Sequence, residues 1–340
     1  MSEKQLTLFV PGLLNSLACD RQTLPRFIAL ETLLAKAQRR VLAGKSYYQT
    51  LQALFGQSVD PDEGIPVAAI SRLAECGEMD ERIWMHVDPV YIYADKDRLV
   101  MRGNAILDMN EEEAAALQKE LNNLYADDDY NFEFFHHQRW YVSMPVMPLA
   151  RFHSLCDVLG RSVEAYMPSG KEKAKWHRFI NEVQMLFHAS EVNQQRNVSE
   201  QPPINSIWCW GVGCLPKTID PAWQSVYTNE VFAKGLSMLS ETPCYDLPAN
   251  ADEVLSGQSD QQLVVVELKE EDVLSIDFER YITRLSLMEQ NWFKPLLSAI
   301  KAGRLARLKL IIGDGYEYTI NRTALLQFWK RAKPLQGRAS

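Results

Sequence analysis

Leu6-Thr7-Leu8-Phe9-Val10-Pro11-Gly12 is a short apolar run stopped by a proline and a glycine, the form of a buried strand that ends in a tight turn. Residues 24–34 then carry apolar side chains at near-helical spacing, so the chain opens as strand, loop, helix. Two later runs, 263–266 and 308–312, have the same buried-strand character. Between them, 278–300 is helical in pattern, with Pro295 marking a kink or break and Gly303 a stop. Strands alternating with helices predict an α/β fold: a mostly parallel sheet covered by helices on both faces. Residues 250–262 read as a polar loop.

The middle of the chain has a different pattern. Val90-Tyr91-Ile92-Tyr93 and Leu99-Val100-Met101 flank the polar turn Asp95-Lys96-Asp97, and 132–135 and 140–144 form a second strand pair around 136–139. Between the pairs, Asn110 precedes a helical stretch and Glu113 stands where it can reach back as a capping box. Residues 87–147 therefore read as an inserted ββαββ (α+β) subdomain, with 1–86 and 148–340 forming the core. Trp176, Phe179, Ile180, Val183, Leu186 and Phe187 recur every three or four residues and mark a helix with one core face. Residues 205–210 are strand-like and run into Gly211-Val212-Gly213, where the backbone is free to turn or to approach a ligand.

A formal net charge of −8, from 44 acidic and 36 basic side chains, opposes a non-specific grip on nucleic acid, which depends on Lys and Arg neutralising phosphates. No apolar run approaches the roughly 20 residues that span a bilayer, and the start lacks a signal-peptide pattern, so no membrane role and a cytoplasmic location are expected. The six cysteines are read as reduced thiols and the six histidines as exposed or hydrogen-bonded.

Val192-Asn193-Gln194-Gln195-Arg196, Pro203-Ile204-Asn205-Ser206-Ile207-Trp208 and Trp210-Gly211-Val212-Gly213 resemble the N-x-x-R, P-x-N and G-x-G motifs of archaeal-type cofactor-independent phosphoglycerate mutases. The stretch resembles still more closely the bacterial RpfE-type regulatory proteins related to those mutases; 181–186, 84–97 and Gln327-Phe328-Trp329-Lys330 are similar to that second family as well. The resemblance implies an alkaline-phosphatase-like core. In its active members two divalent metals sit beside a serine that is transiently phosphorylated, where the cations polarise phosphoryl oxygens and activate the serine.

The residues that would build such a centre are altered. Pro11 stands where the first aspartate ligand is expected, Ile276 stands for histidine in Asp272-Val273-Leu274-Ser275-Ile276-Asp277, and Gly315 follows Asp314 where a second histidine belongs. No histidine occurs after His188. The resemblance therefore implies a silent relative with a regulatory or binding role, without cofactor. The alternative is an active mutase or phosphate-ester hydrolase with an all-carboxylate Mn or Mg site from Asp272, Asp277 and Asp314 and Ser46 as nucleophile. Asn193, Arg196, Asn205, Trp210, Gly211 and Gly213 are the candidate ligand-binding residues, with a phosphorylated or carboxylated metabolite or a regulatory protein as partner. Arg196 has the fork to hold such an anion, or to pair with a carboxylate of the chain itself.

Overall fold

A computed structural model of the chain describes residues 4–14, 25–42, 44, 46–58, 64–274 and 278–335, the side chains of 271 and 272 excepted. The chain divides into two compact units, residues 1–59 with 218–340, and residues 60–217.

The first unit holds a seven-stranded sheet in the order Cys244–Tyr245, Ser225–Thr228, Gln261–Val265, Gln5–Phe9, Arg307–Ile311, Tyr316–Asn321, Gln38–Val41. The first five strands are mutually parallel, the sixth runs antiparallel to them, and the seventh pairs antiparallel with the sixth. Pairing of Leu6 with Gln262 and Leu308, and of Leu8 with Val264 and Leu310, puts Leu6, Leu8, Val264, Leu308 and Leu310 into one apolar cluster with the Ile28–Lys36 and Lys294–Ala302 helices. On the other face Tyr47 of the Tyr47–Leu54 helix stacks on Phe9, and Tyr48 meets Phe232 of the Val231–Leu239 helix. Burial on both faces is why these strands read as nearly continuous apolar runs.

The irregularity expected at Pro295 takes the form of a five-residue π turn, Glu289–Phe293, between Phe278–Met288 and Lys294–Ala302, ending two residues before the proline that lacks an amide hydrogen. That turn also positions Glu289, buried, to accept the amides of Ala29 and Leu30 at 2.7 and 3.0 Å. It thereby satisfies the start of a helix whose own N-cap residue, Phe27, has no capping side chain. The stretch read as a loop at 250–262 contains the helix Ala251–Ser256, with Asn250 accepting from the amides of Asp252 and Glu253.

The second unit is built on one long strand, Ile83–Asp95, flanked in order by Arg98–Gly103 before it and Arg139–Met144 and Asn131–His136 after it, with Ser206–Cys214 pairing along its free side. The stretch 87–147 lies inside this unit. The 86/87 boundary falls within the long strand, which continues back to Ile83 without a break. Helices Glu111–Leu124 and Lys173–Ala189 cover the sheet and join Met85, Val87, Phe132, Trp140 and Val142 in a second core. Asn110 and Glu113 form the capping box read from the sequence.

Candidate functional site

In open α/β sheets ligands collect beyond the carboxyl ends of parallel strands, and Pro11, Asp314 and Gly315 lie there. The Val10 amide donates to Ile311 at 2.8 Å and the Val266 amide to Phe9 at 2.9 Å, aligning three strand ends. Pro11 follows the first strand, buried. Gly313, at φ 83°, is so close that a Cβ would sit 2.8 Å from the Gly12 nitrogen. The Gly315 carbonyl accepts the Leu42 amide at 3.0 Å, and Tyr47, next to Ser46, stacks on Phe9. Pro11, Asp314, Gly315 and Ser46 are thus carried by neighbouring loops.

Their chemistry does not fit a two-metal centre. Pro11 and Gly315 offer no side-chain donor. Asp314 accepts the Tyr318 hydroxyl at 2.5 Å on one oxygen and the Tyr316 amide at 3.1 Å on the other, so both oxygens hold the hairpin that joins the last two core strands. Ser46 is the N-cap of its helix, its hydroxyl accepting the Gln49 amide at 3.3 Å while Gln49 returns the bond; a helix cap explains this serine without a nucleophilic role. Asp272 belongs to the short helix Glu270–Leu274, but its side chain, and all of Ile276 and Asp277, lie outside the described residues. Among the described residues, no three His, Cys, Asp or Glu side chains gather as a metal site. No phosphoryl-transfer step is derived through such a centre.

Asn193, Arg196 and Asn205 come together in the second unit. Asn193, buried, donates to the Phe187 and Ile204 carbonyls at 2.8 and 2.7 Å and accepts the Ile204 amide at 2.8 Å. Asn205 treats Ile92 the same way, donating to its carbonyl at 2.7 Å and accepting its amide at 2.9 Å. The Arg196 guanidinium, 1% exposed, holds both Glu113 oxygens at 2.8 and 2.9 Å, the Pro202 carbonyl at 2.9 Å and the Leu107 carbonyl. All three of its nitrogens are engaged within the unit. The geometry places Arg196 on a carboxylate of the chain, the second of the two readings open to it from sequence.

Trp210, Gly211 and Gly213 form a separate group. They lie inside the Ser206–Cys214 strand and not in a loop beyond it. The glycines face the Val67–Cys76 helix: a Cβ on Gly213 would meet Pro66 Cβ at 2.5 Å, and one on Gly211, at φ 65°, would meet Val67 Cβ at 3.0 Å. Close packing of helix on strand, not an approach to an anion, is what these positions require. The Trp210 indole donates to Asp88 at 2.7 Å.

Beside it is a residue the histidine reading missed. His86 is 1% exposed, stacks on Trp210 with centroids 4.4 Å apart, and has no hydrogen-bond partner on either ring nitrogen among the described residues. Its Nδ1 lies 3.5 Å from Asp88, whose oxygens already accept from the Trp140 amide and the Trp210 indole. Strand alternation was the available signal, since 84, 86 and 88 share a face. Nearby, burial first and Glu75 second push the Tyr141 hydroxyl well above its ordinary pKa, and burial pushes up the Cys209 thiol, with Asp88 adding to it. Both groups are therefore protonated and inert at neutral pH.

No protein-family model matches the chain. A 2,3-bisphosphoglycerate-independent phosphoglycerate mutase of Methanosarcina barkeri is 36% identical over 61 residues, 18% of this chain and 15% of that protein. A 2,3-bisphosphoglycerate-independent phosphoglycerate mutase 2 of Methanothermobacter thermautotrophicus is 34% identical over 105 residues, 30% of this chain and 25% of that protein. The matched segment thus spans a quarter or less of these curated relatives. Among solved structures, the PH0037 protein from Pyrococcus horikoshii superposes with a TM-score of 0.53 at 11% identity, covering 94% of this chain and 87% of that one. The chain shares that α/β fold, a mostly parallel sheet covered by helices, and over part of its length is homologous to archaeal cofactor-independent phosphoglycerate mutases.

Proposed function

We propose that this is a phosphoglycerate-mutase-like protein that has lost its two-metal phosphoryl-transfer site and serves a regulatory or binding role in the cytoplasm. The observation that carries this reading is the state of the carboxyl edge of the core sheet. Pro11, Gly315, the hairpin-bound Asp314 and the helix-capping Ser46 lie on neighbouring loops where a metal-bound serine would be expected. A site dismantled in place supports a scaffold retained for another purpose. The engagement of Arg196 with Glu113 favours a protein partner over a phosphorylated or carboxylated metabolite held at that arginine. Among the described residues no helix is long and apolar enough to cross a membrane.

The test is turnover of 3-phosphoglycerate and of p-nitrophenyl phosphate by the purified chain with Mn²⁺, Mg²⁺ or Zn²⁺. The proposal predicts no metal-dependent turnover above the blank. Saturable, metal-dependent turnover abolished by Ser46→Ala overturns it and favours the all-carboxylate enzyme.

A further inference from the structure

In the second unit a cleft of about 680 Å³ opens where the Lys173–Ala189 and Glu191–Val198 helices face the long strand. That volume is within the range of built ligand sites, roughly 300–1,000 Å³. Its lining is polar without a fixed charge: Gln184, Asn193, Gln194, Asn197 and Asn205 contribute five carboxamides beside the imidazole of His188, and no Lys, Arg, Asp or Glu side chain takes part. Ile92, Leu99 and Pro203 supply the apolar part, and Leu99 is 47% exposed.

A lining without a guanidinium or ammonium gives a phosphate or carboxylate only the His188 imidazole to pair with, and its transfer from water would be unfavourable. Carboxamides instead offer one donor and one acceptor side by side, the complement of a peptide group. Two of them already work this way here. Asn193 grips both the amide and the carbonyl of Ile204, and Asn205 grips both those of Ile92. The second pair matters for the cleft, because the Ser206–Cys214 strand stops pairing at Ser206 with Val90, and the Asn205 side chain carries the ladder one step further. Backbone pairing thus ends at the cleft, and carboxamides take over.

The outer carboxamides are less committed. Gln184 and Gln194 use their amide nitrogens on Ser206 Oγ and the Ala189 carbonyl, at 3.1 Å each, which leaves each a carbonyl oxygen as acceptor. Asn197 is exposed, and Val198 beside it is 85% exposed. We propose that this cleft is a docking site for an uncharged, extended peptide segment of a partner protein. Asn197 binds its backbone as Asn205 binds Ile92, Gln194 accepts one of its backbone amides through its carbonyl oxygen, and Leu99 and Val198 contact its apolar side chains. The inference names the partner's chemistry for the binding role proposed above and rests on that role. It is independent of whether the core sheet retains turnover.

The experiment is selection of a phage-displayed random dodecapeptide library on the full chain, with Gln194→Ala/Asn197→Ala as counter-target, followed by fluorescence-polarisation titration of the enriched peptides. The proposal predicts enriched peptides without charged residues, affinity insensitive to salt, and binding about tenfold weaker or worse for the double variant. If that variant fails to fold, shown by its circular dichroism, Gln194→Glu/Asn197→Asp is used with the same prediction. No enrichment, charged or salt-sensitive binders, or equal affinity for wild type and variant each overturns it. The turnover assay is separate, so metal-dependent activity with peptide binding intact would refute only the loss of the phosphoryl-transfer site.

Discussion

Tyr318 donates its hydroxyl to Asp314 at 2.5 Å across the hairpin that follows the last parallel strand. The acid that stands beside the glycine in place of a ligand histidine is therefore a structural acceptor. Tyr318 is 3% exposed while Asp314 is exposed, so water replaces the lost hydroxyl at the carboxylate and only the net value of the hydrogen bond is lost. Tyr318→Phe is expected to destabilise the chain by about 0.5–1.5 kcal/mol, read as a lower urea midpoint at unchanged m-value. An unchanged midpoint would mean that Asp314 is not held this way.

Arg196 joins the Glu191–Val198 helix to Glu113 in the first turn of another helix. Truncation strands a carboxylate and two backbone carbonyls in a buried place, and Arg196→Ala should cost about 3–5 kcal/mol. Arg196→Lys should recover only part of that, since an ammonium cannot reach all of these acceptors at once. A variant with native stability and altered ligand affinity would restore the anion-binding role considered from sequence.

Gly213→Ala places a methyl 2.5 Å from Pro66 Cβ, where a rigid ring cannot swing aside. The expected loss is about 1–3 kcal/mol, checked by thermal or urea unfolding. Native stability would contradict the helix-on-strand account of the glycine pair.

His136 gives a pH dependence. Burial first, then the charges of Arg139 and His137, lower its pKa below the ordinary 6.5, against the pull of Glu75 and Glu111, and its Nδ1 accepts the Gln138 amide at 3.2 Å, which needs a neutral ring. With the folded pKa below the unfolded one, the unfolded chain binds more protons in that interval. Stability from this group is complete above about pH 7, falls as pH drops through about 6.5 and stops falling below the folded pKa. The urea midpoint should therefore drop between about pH 7.5 and about pH 5.5, and by less in His136→Asn. Equal drops would contradict the assignment.

The parts legible in the sequence were those whose cause is local. The run ending at Pro11-Gly12, the capping box of Asn110 and Glu113, and Gly303 at φ 73° after its helix each follow from a few adjacent residues. Gln38–Val41 was missed because its side chains are all exposed and polar apart from Val41, as befits an edge strand held only by its antiparallel neighbour. The role of Arg196 was open because its partner Glu113 is 83 residues away, and an arginine has the same fork whether it meets a ligand or a carboxylate of its own chain. The glycine pair was ambiguous for a similar reason: absence of a side chain serves a backbone approach and a helix contact alike. Strand alternation places His86 on the face of Trp84 and Asp88, but its burial depends on Trp210, distant in the sequence, which no local pattern shows.

Ser46 caps its helix, and in the function proposed above it has no part in phosphoryl transfer. The most direct test is intact-mass and peptide-level mass spectrometry after incubating the chain with p-nitrophenyl phosphate or 3-phosphoglycerate and Mn²⁺, quenched in acid. The account predicts unmodified Ser46 under every metal condition, with Ser46→Ala losing about 0.5–2 kcal/mol of stability as a missing cap does. A metal-dependent phosphate adduct on Ser46 would contradict it.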